Sequence, residues 1–442
     1  MAALELKRGD EGYEQARRDA VWNGRTPKRY PDLIVQAESI DDVLNAVRLA
    51  ADRGMRVGIR SGGHSWAGNH VRDGGMLLDV SRLDEIEVNR EAMTAVVGPG
   101  FHSIAGALEP EGLFFPGGHC PGVAVGGYLL QGGFGWNGRV LGPACMSVEA
   151  IDVVTADGEL IHANEHENAD LLWAARGSGP GFFGVVVRFH LKVYTAPRHI
   201  ANTVMRFPFE IAEEVFTWAR EVGPTVAREV EMNVIVNRGE SGDPEITVIA
   251  PTLVDSAEEA SAALAFIAEC PLRDRALEVV PIVPMTLAAL YEAVSQFYPE
   301  GARYAADNMW THAPASELMP GIREIAATLP PAPSGMLWLN WGGASQSRPA
   351  MAFSIEDETY IAVYGVWRDP ADDEQNVRWA EERMRAMEHL ASGIQLADEN
   401  LGRRPARFVT GENLARLDEI RDRYDPSGRF HSWMGRPANA DA

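Results

Sequence analysis

Cysteine is scarce in this chain. Cys120, Cys145 and Cys270 are the only three in 442 residues, so no disulfide framework holds it together, and the odd number leaves at least one unpaired. Positive charge is also short. Lys and Arg number 40 against 63 Asp and Glu, a net charge of −23. That field repels phosphate backbones and anionic membrane surfaces, which makes nucleic acid and membranes poor partners. Long apolar runs are missing too. Glu5, Lys7, Arg8, Asp10 and Glu11 interrupt the N-terminus where a secretory segment would need a hydrophobic stretch. Pro281 and Pro284 break the apolar stretch Val279 to Tyr291 far short of a membrane span. The expectation is a cytoplasmic protein, monomer or homodimer, with no membrane contact.

Glycine is what the chain has in quantity. Of 43 glycines, 21 fall between Gly54 and Gly142. Glycine that dense marks backbone in conformations closed to other residues, or backbone approached closely by something else. At 46% apolar and 23% charged the composition is globular. The length predicts two to three domains at about 150 residues each.

The pattern along the chain predicts an α+β protein. Ser39-Ile-Asp-Asp42 is a capping box ahead of a helix stopped by Gly54. Strands are predicted at Arg56–Ile59, Met76–Val80, Ala95–Val97 and Val185–Val193, with a β-rich unit over 149–160 and helices at Ser103–Leu108 and Asn168–Ala175. Residues 1–200 read as a mixed α/β domain. Residues 201–405 read as a second domain, an antiparallel sheet covered by helices. Its strands are predicted at Met232–Val236, Ile246–Ala250, Met336–Asn340 and Thr359–Val366, its helices at Ala260–Cys270 and Gln375–Ala391. Where residues 406–442 dock is not legible in the pattern.

Two glycine segments carry the chemistry. Arg60-Ser-Gly-Gly-His-Ser-Trp-Ala-Gly68 empties a strand into small residues, whose successive N–H groups can form a nest for a phosphate oxygen. It lacks the Gly-Lys-Ser/Thr of a P-loop and the Gly-x-Gly-x-x-Gly of a dinucleotide fold. The segment 116–142, PGGHCPGVAVGGYLLQGGFGWNGRVLG, holds ten glycines interleaved with Val123, Tyr128, Leu129, Phe134 and Trp136. Flexible linkers are polar; this segment reads as backbone packed around a large flat object. His119, Cys120, His162 and His166 do not make a metal site, because no second cysteine stands at ligand spacing.

These pieces, with LLWAARGSGPGFFGVV (171–186) and YDPSGRF (424–430), resemble the flavoproteins of the vanillyl-alcohol oxidase and p-cresol methylhydroxylase superfamily, in the berberine-bridge-enzyme-like branch. The resemblance spans nearly the whole chain and implies an FAD-binding domain of two α/β subdomains over 1–200, a substrate domain over 201–405 and a C-terminal segment, 406–442, that returns to the FAD domain. It implies FAD bound covalently twice, through His64 to the flavin 8α carbon and through Cys120 to C6. It further implies cofactor contacts from Arg60, Ser61, Gly62, Gly63, Ser65, Gly68, Gly118, Val123, Gly126, Gly127, Gly132, Gly133, Val185 and Val187. Val123 stands three residues after the cysteine, where the family's valine admits oxygen. The implied reaction moves a hydride from a small-molecule alcohol or amine to flavin N5, with dioxygen returning as hydrogen peroxide.

The branch's usual catalytic polar pair is missing, since Ile394 and Leu396 occupy its expected positions. His431-Ser-Trp-Met434 also departs from the family's ending. Substitute catalytic candidates are Tyr304, Tyr360, Tyr364 and His431; substrate candidates are Asn340, Trp310, Trp338 and Gln395. Tyr360 and Tyr364 are four apart on a strand and therefore share a face. The alternatives beside an oxidase are an FAD-dependent dehydrogenase with another acceptor, an oxidative cyclase of a secondary metabolite, and a flavin-binding protein without catalysis.

Overall fold

A computed structural model describes residues 3–342 and 347–436. Three larger sheets and one two-stranded ribbon organise the described residues. A four-stranded sheet comes first, with Leu33–Gln36 and Val57–Arg60 both parallel to Met76–Asp79. A five-stranded antiparallel sheet of residues 86–192 follows. The third sheet has eight strands between His199 and Trp367. Ser39 caps the Ile40–Asp52 helix by accepting from the Asp42 N–H, as the capping box dictates.

The period of two along the large sheet decides where everything lies. Met205, Phe207, Val234, Val236, Ile246, Val248, Met336, Trp338, Ile361 and Val363 all point to one face, where they form a core with the helices Ala212–Val222, Ala315–Thr328 and Asp373–Met387. The alternate residues point the other way, toward the two smaller sheets. The sheet is thus covered by helices on one side and by a cavity on the other. The C-terminal helix Gly411–Tyr424 packs on Ala169–Ala175, and Phe430 makes a parallel bridge to Val57, so the tail reaches back to the first sheet.

Several elements differ from the sequence pattern. The helix expected over 260–270 is two short ones, Ala257–Ala263 and Ala265–Ala268, broken at Leu264. A long strand, Arg303–Thr311, stands where none was expected. Its sequence RYAADNMWT carries Asp307 and Asn308, both poor strand formers. They are kept there by burial against polar partners, described below.

Candidate active site

The cavity between the glycine loops and the large sheet has a volume of about 600 Å³. Its floor is the loop after the strand Val57–Arg60 together with residues 118–127. These loops lie backbone against backbone: a Cβ on Gly62 would come within 2.9 Å of the Ala124 nitrogen, and one on Gly126 within 2.9 Å of Ser61 Oγ. Only glycine permits that approach. By contrast a Cβ on Gly127 would meet nothing within 4 Å, so its backbone faces open space.

His64 and Cys120 both line this cavity. A Cβ on Gly122, two residues past Cys120, would lie 3.2 Å from His64 Nε2, so the two loops bring both side chains to one place. Trp22 stacks on the His64 ring at 4.7 Å. Burial is the main cause lowering the His64 pKa to about 4, which leaves a neutral imidazole with a free lone pair at neutral pH. Burial likewise pushes the Cys120 thiol up to about 12. Neither group forms an ion pair among the described residues; the neutral His64 can attack an electrophilic ring directly, whereas the Cys120 thiol must first lose its proton, because the thiolate is the nucleophile.

Ser61, Gly62, Gly63, Ser65, Gly118, Val123 and Gly126 also line the cavity, as does Arg60. The Arg60 guanidinium itself is turned to Asp79, at 2.9 and 3.1 Å. Other expected cofactor contacts lie elsewhere. Val185 and Val187 point into the core beneath the first sheet, and it is Gly184 and Val186, one residue out of phase, that reach the cavity. Gly68 packs on Pro27 and Arg29. Gly132 and Gly133 are turn residues with φ of 116° and 80°, set against Phe353 and Tyr128.

The large sheet contributes Tyr360 and Tyr364, which share the cavity face as their spacing requires. Between them stands a residue that sequence reading missed. Asp398 is 8% exposed, and its carboxylate accepts from the Tyr360 hydroxyl, the Tyr364 hydroxyl at 2.8 Å and the Trp66 indole N–H at 2.6 Å. Burial first, then the Asp398 charge, holds both phenols well above their ordinary pKa, so they stay protonated and donate. The arrangement is a carboxylate with protons poised around it, on the wall of a cavity. Its only signal in the sequence is the Asp398-Glu399 pair, two residues beyond the apolar position Leu396.

A buried network clamps the segment that carries Asp398 onto the strand Arg303–Thr311. Asn308 Nδ2 donates to the carbonyls of Gln395 and Asp398 at 3.0 and 2.9 Å, and its Oδ1 accepts from the Gln395 N–H at 2.7 Å. Beneath it Asp307 pairs with Arg404 and accepts from Asn400 Nδ2 at 3.0 Å. Asp307 and Arg404 are 1% and 3% exposed. Breaking a buried pair leaves one uncompensated charge, which costs about 3–5 kcal/mol. Arg404→Leu is therefore expected to lower the unfolding free energy by about that amount, measured by urea denaturation.

The remaining candidates divide by face. Trp310 is fully buried beside Tyr360 on the cavity wall, and among the described residues its indole N–H has no partner. Gln395 and His431 also reach the cavity, His431 from beside Val57. Trp338 and Asn340 do not share that face. Trp338 is packed on Phe216 in the helix-covered core, and Asn340 accepts from its indole at 2.9 Å while donating to the Ala219 carbonyl. Tyr304 turns its hydroxyl to the Pro299 carbonyl and stacks on Trp22, making it a wall behind His64. On the five-stranded sheet His162 and His190 flank Asp152, at 2.7 and 3.4 Å. Neither His119 nor Cys120 belongs to that cluster.

The chain is similar to several known proteins. Residues 31–164 match the FAD binding domain family. The chain is 31% identical to the FAD-linked oxidoreductase nodO of Hypoxylon pulicicidum, across 95% of this chain and 94% of that protein. Among solved structures it is similar to 6-hydroxy-D-nicotine oxidase of Arthrobacter nicotinovorans, with a TM-score of 0.85 and 23% identity over 99% of this chain and 98% of that one. It is equally similar in fold to the BBE-like 1 protein of Physcomitrella patens, with a TM-score of 0.85 and 19% identity over 99% and 97%.

Proposed function

The chain belongs to the FAD-linked oxidoreductases, and on that premise we propose that it is a member of the vanillyl-alcohol oxidase and p-cresol methylhydroxylase superfamily, in its berberine-bridge-enzyme-like branch, and a bicovalently flavinylated oxidase of small-molecule alcohols or amines. One observation carries the reading. His64, Cys120, Tyr360, Tyr364 and Asp398 line a single cavity.

The residues present fit FAD: two glycine loops with an open backbone face at Gly127, a neutral histidine and a cysteine. His64 and Cys120 would hold the ring by their side chains, and the loop at Ser61–Ser65 would hold the phosphates with its N–H groups. FAD bound there supplies hydride acceptance from a substrate carbon and return of the electrons to dioxygen.

The protein's part is the proton. A substrate hydroxyl or amine placed against Tyr360 and Tyr364 gives its proton through the Tyr360 phenol to Asp398 Oδ2. The acceptor is already in hydrogen-bond reach of the relay, as general base catalysis requires. Trp66 holds the other carboxylate oxygen and so fixes which one is free to act. Trp66 and Tyr298 pack against Tyr364 and, with Trp22, wall this end of the cavity in aromatic rings.

The test is a peroxide-coupled screen across secondary and benzylic alcohols, sugars and cyclic amines, followed by anaerobic flavin reduction with the best substrate and rapid mixing with air. Reoxidation within about a second supports an oxidase, with Val123 admitting oxygen. Reoxidation over minutes makes the enzyme a dehydrogenase with another acceptor.

A further inference from the structure

The cavity face of the large sheet is ordered in columns. The strand Thr359–Trp367 offers Tyr360 and Tyr364; its neighbour Gly335–Asn340 offers Gly335, Leu337 and Leu339; the next, Asn233–Arg238, offers Asn233, Ile235 and Asn237. The register aligns them in rows. Tyr360 pairs with Leu339 and Leu339 with Asn233; Tyr364 pairs with Gly335 and Gly335 with Asn237. Each tyrosine of the proton-accepting group therefore has an asparagine directly across the sheet. Only aliphatic side chains and a glycine lie between. Two strand spacings separate the columns, roughly 10 Å.

Resting on the oxidase reading, we infer that the substrate is an elongated, rigid, largely hydrocarbon molecule. It is oxidised at the Tyr360–Tyr364 end and carries a second hydrogen-bonding group roughly 10 Å away that Asn233 and Asn237 read. Leu337, Leu339 and Ile235 offer no hydrogen bonds, so a sugar laid across them would leave its hydroxyls unpaired, each a desolvation cost. A benzylic alcohol would reach one polar column and not the other. An amide on each row both donates and accepts, so the distal group can be a hydroxyl, a carbonyl or a ring N–H. Beyond this column the sheet continues the same way. Ile249 and Val204 follow, then Asn202, whose buried Oδ1 has no partner among the described residues.

The test uses four probes: a steroid diol with hydroxyls at opposite ends of the ring system, the matching mono-ol, benzyl alcohol and xylobiose. Each is titrated by calorimetry into flavin-loaded enzyme reduced with dithionite, which cannot turn over. Binding is thus read apart from oxidation, and a failure of the oxidase reading shows separately as no bleaching of the oxidised flavin by any bound probe. The diol is expected to bind about tenfold tighter than the mono-ol, the worth of one hydrogen bond, and about a hundredfold tighter than benzyl alcohol or xylobiose. Asn237→Leu should bring the diol and mono-ol affinities together. Asn233→Leu should do the same, with a melting curve to check its fold, because Asn233 Nδ2 also donates to the Glu231 carbonyl. Tighter binding of xylobiose or benzyl alcohol, equal binding of diol and mono-ol, no binding of any probe, or a preference that survives both substitutions would each overturn the inference.

Discussion

Asp398→Asn is expected to slow anaerobic flavin reduction by about 10²–10⁴-fold while the protein stays folded and yellow. The substitution keeps the shape of the side chain and still accepts from the Trp66 indole, so the contact that positions it survives. What it removes is the negative charge that can take a proton. Tyr360 cannot replace it. Its phenol is held well above the ordinary pKa by burial and by Asp398 itself, so it relays a proton only when a stronger acceptor stands behind it. Tyr360→Phe should therefore slow reduction as well, by a smaller factor than Asp398→Asn, because Tyr364 still donates to the same carboxylate. Stopped-flow absorbance under nitrogen measures both. Reduction by Asp398→Asn within about threefold of the unaltered enzyme would remove Asp398 from the proton path.

The second large effect concerns the cofactor. His64→Ala and Cys120→Ala are each expected to leave one covalent bond to the flavin, so acid precipitation gives a yellow pellet in both. The double variant should give a colourless pellet and a yellow supernatant. A thiol count reads the same bond from the other side. If the Cys120 sulfur is a thioether, denatured unaltered protein should titrate two thiols, those of Cys145 and Cys270; His64→Ala should also give two. Cys145 and Cys270 are buried in the folded protein and belong to hydrophobic clusters, so they become reactive only on unfolding. Three titrating thiols in the denatured holoprotein would refute the cysteine bond even if the histidine bond stood.

The cofactor end of this site was legible in the sequence because it is made of local signals. RSGGHSWAG follows a strand directly, and the glycines of 116–142 announce close backbone approach; the fold confirms both through Gly62 and Gly126. Strand period also placed Tyr360 and Tyr364 on one face. It does not say which face of a strand meets the cavity, and the structure therefore departs from expectation at Trp338 and Asn340, which lie on the helix-covered face. The same one-residue phase separates Val185 and Val187 from the cavity-lining Gly184 and Val186. Register is a property of the assembled sheet.

The carboxylate proposed as the base, Asp398, was hidden for a different reason. Asp398 lies in a single 3-10 turn, Leu396–Asp398, with no periodicity to mark it. Its position is fixed by Asn308, Asp307 and Arg404, and Asn308 stands about ninety residues earlier in the chain. That strand was itself unrecognisable, since burying Asp307 and Asn308 makes sense only once Arg404 and the Gln395 backbone are in place. The apparent loss of polar residues at Ile394 and Leu396 suggested a chain without catalysis. In the fold both are core residues, and a carboxylate two positions beyond Leu396 faces the cavity.

Mass spectrometry of the proteolysed, denatured holoprotein tests the account most directly. The prediction is one flavin joining the peptide that contains His64 to the peptide that contains Cys120, with neither peptide present at its unmodified mass. Both peptides at their unmodified masses, with FAD free in solution, would contradict it.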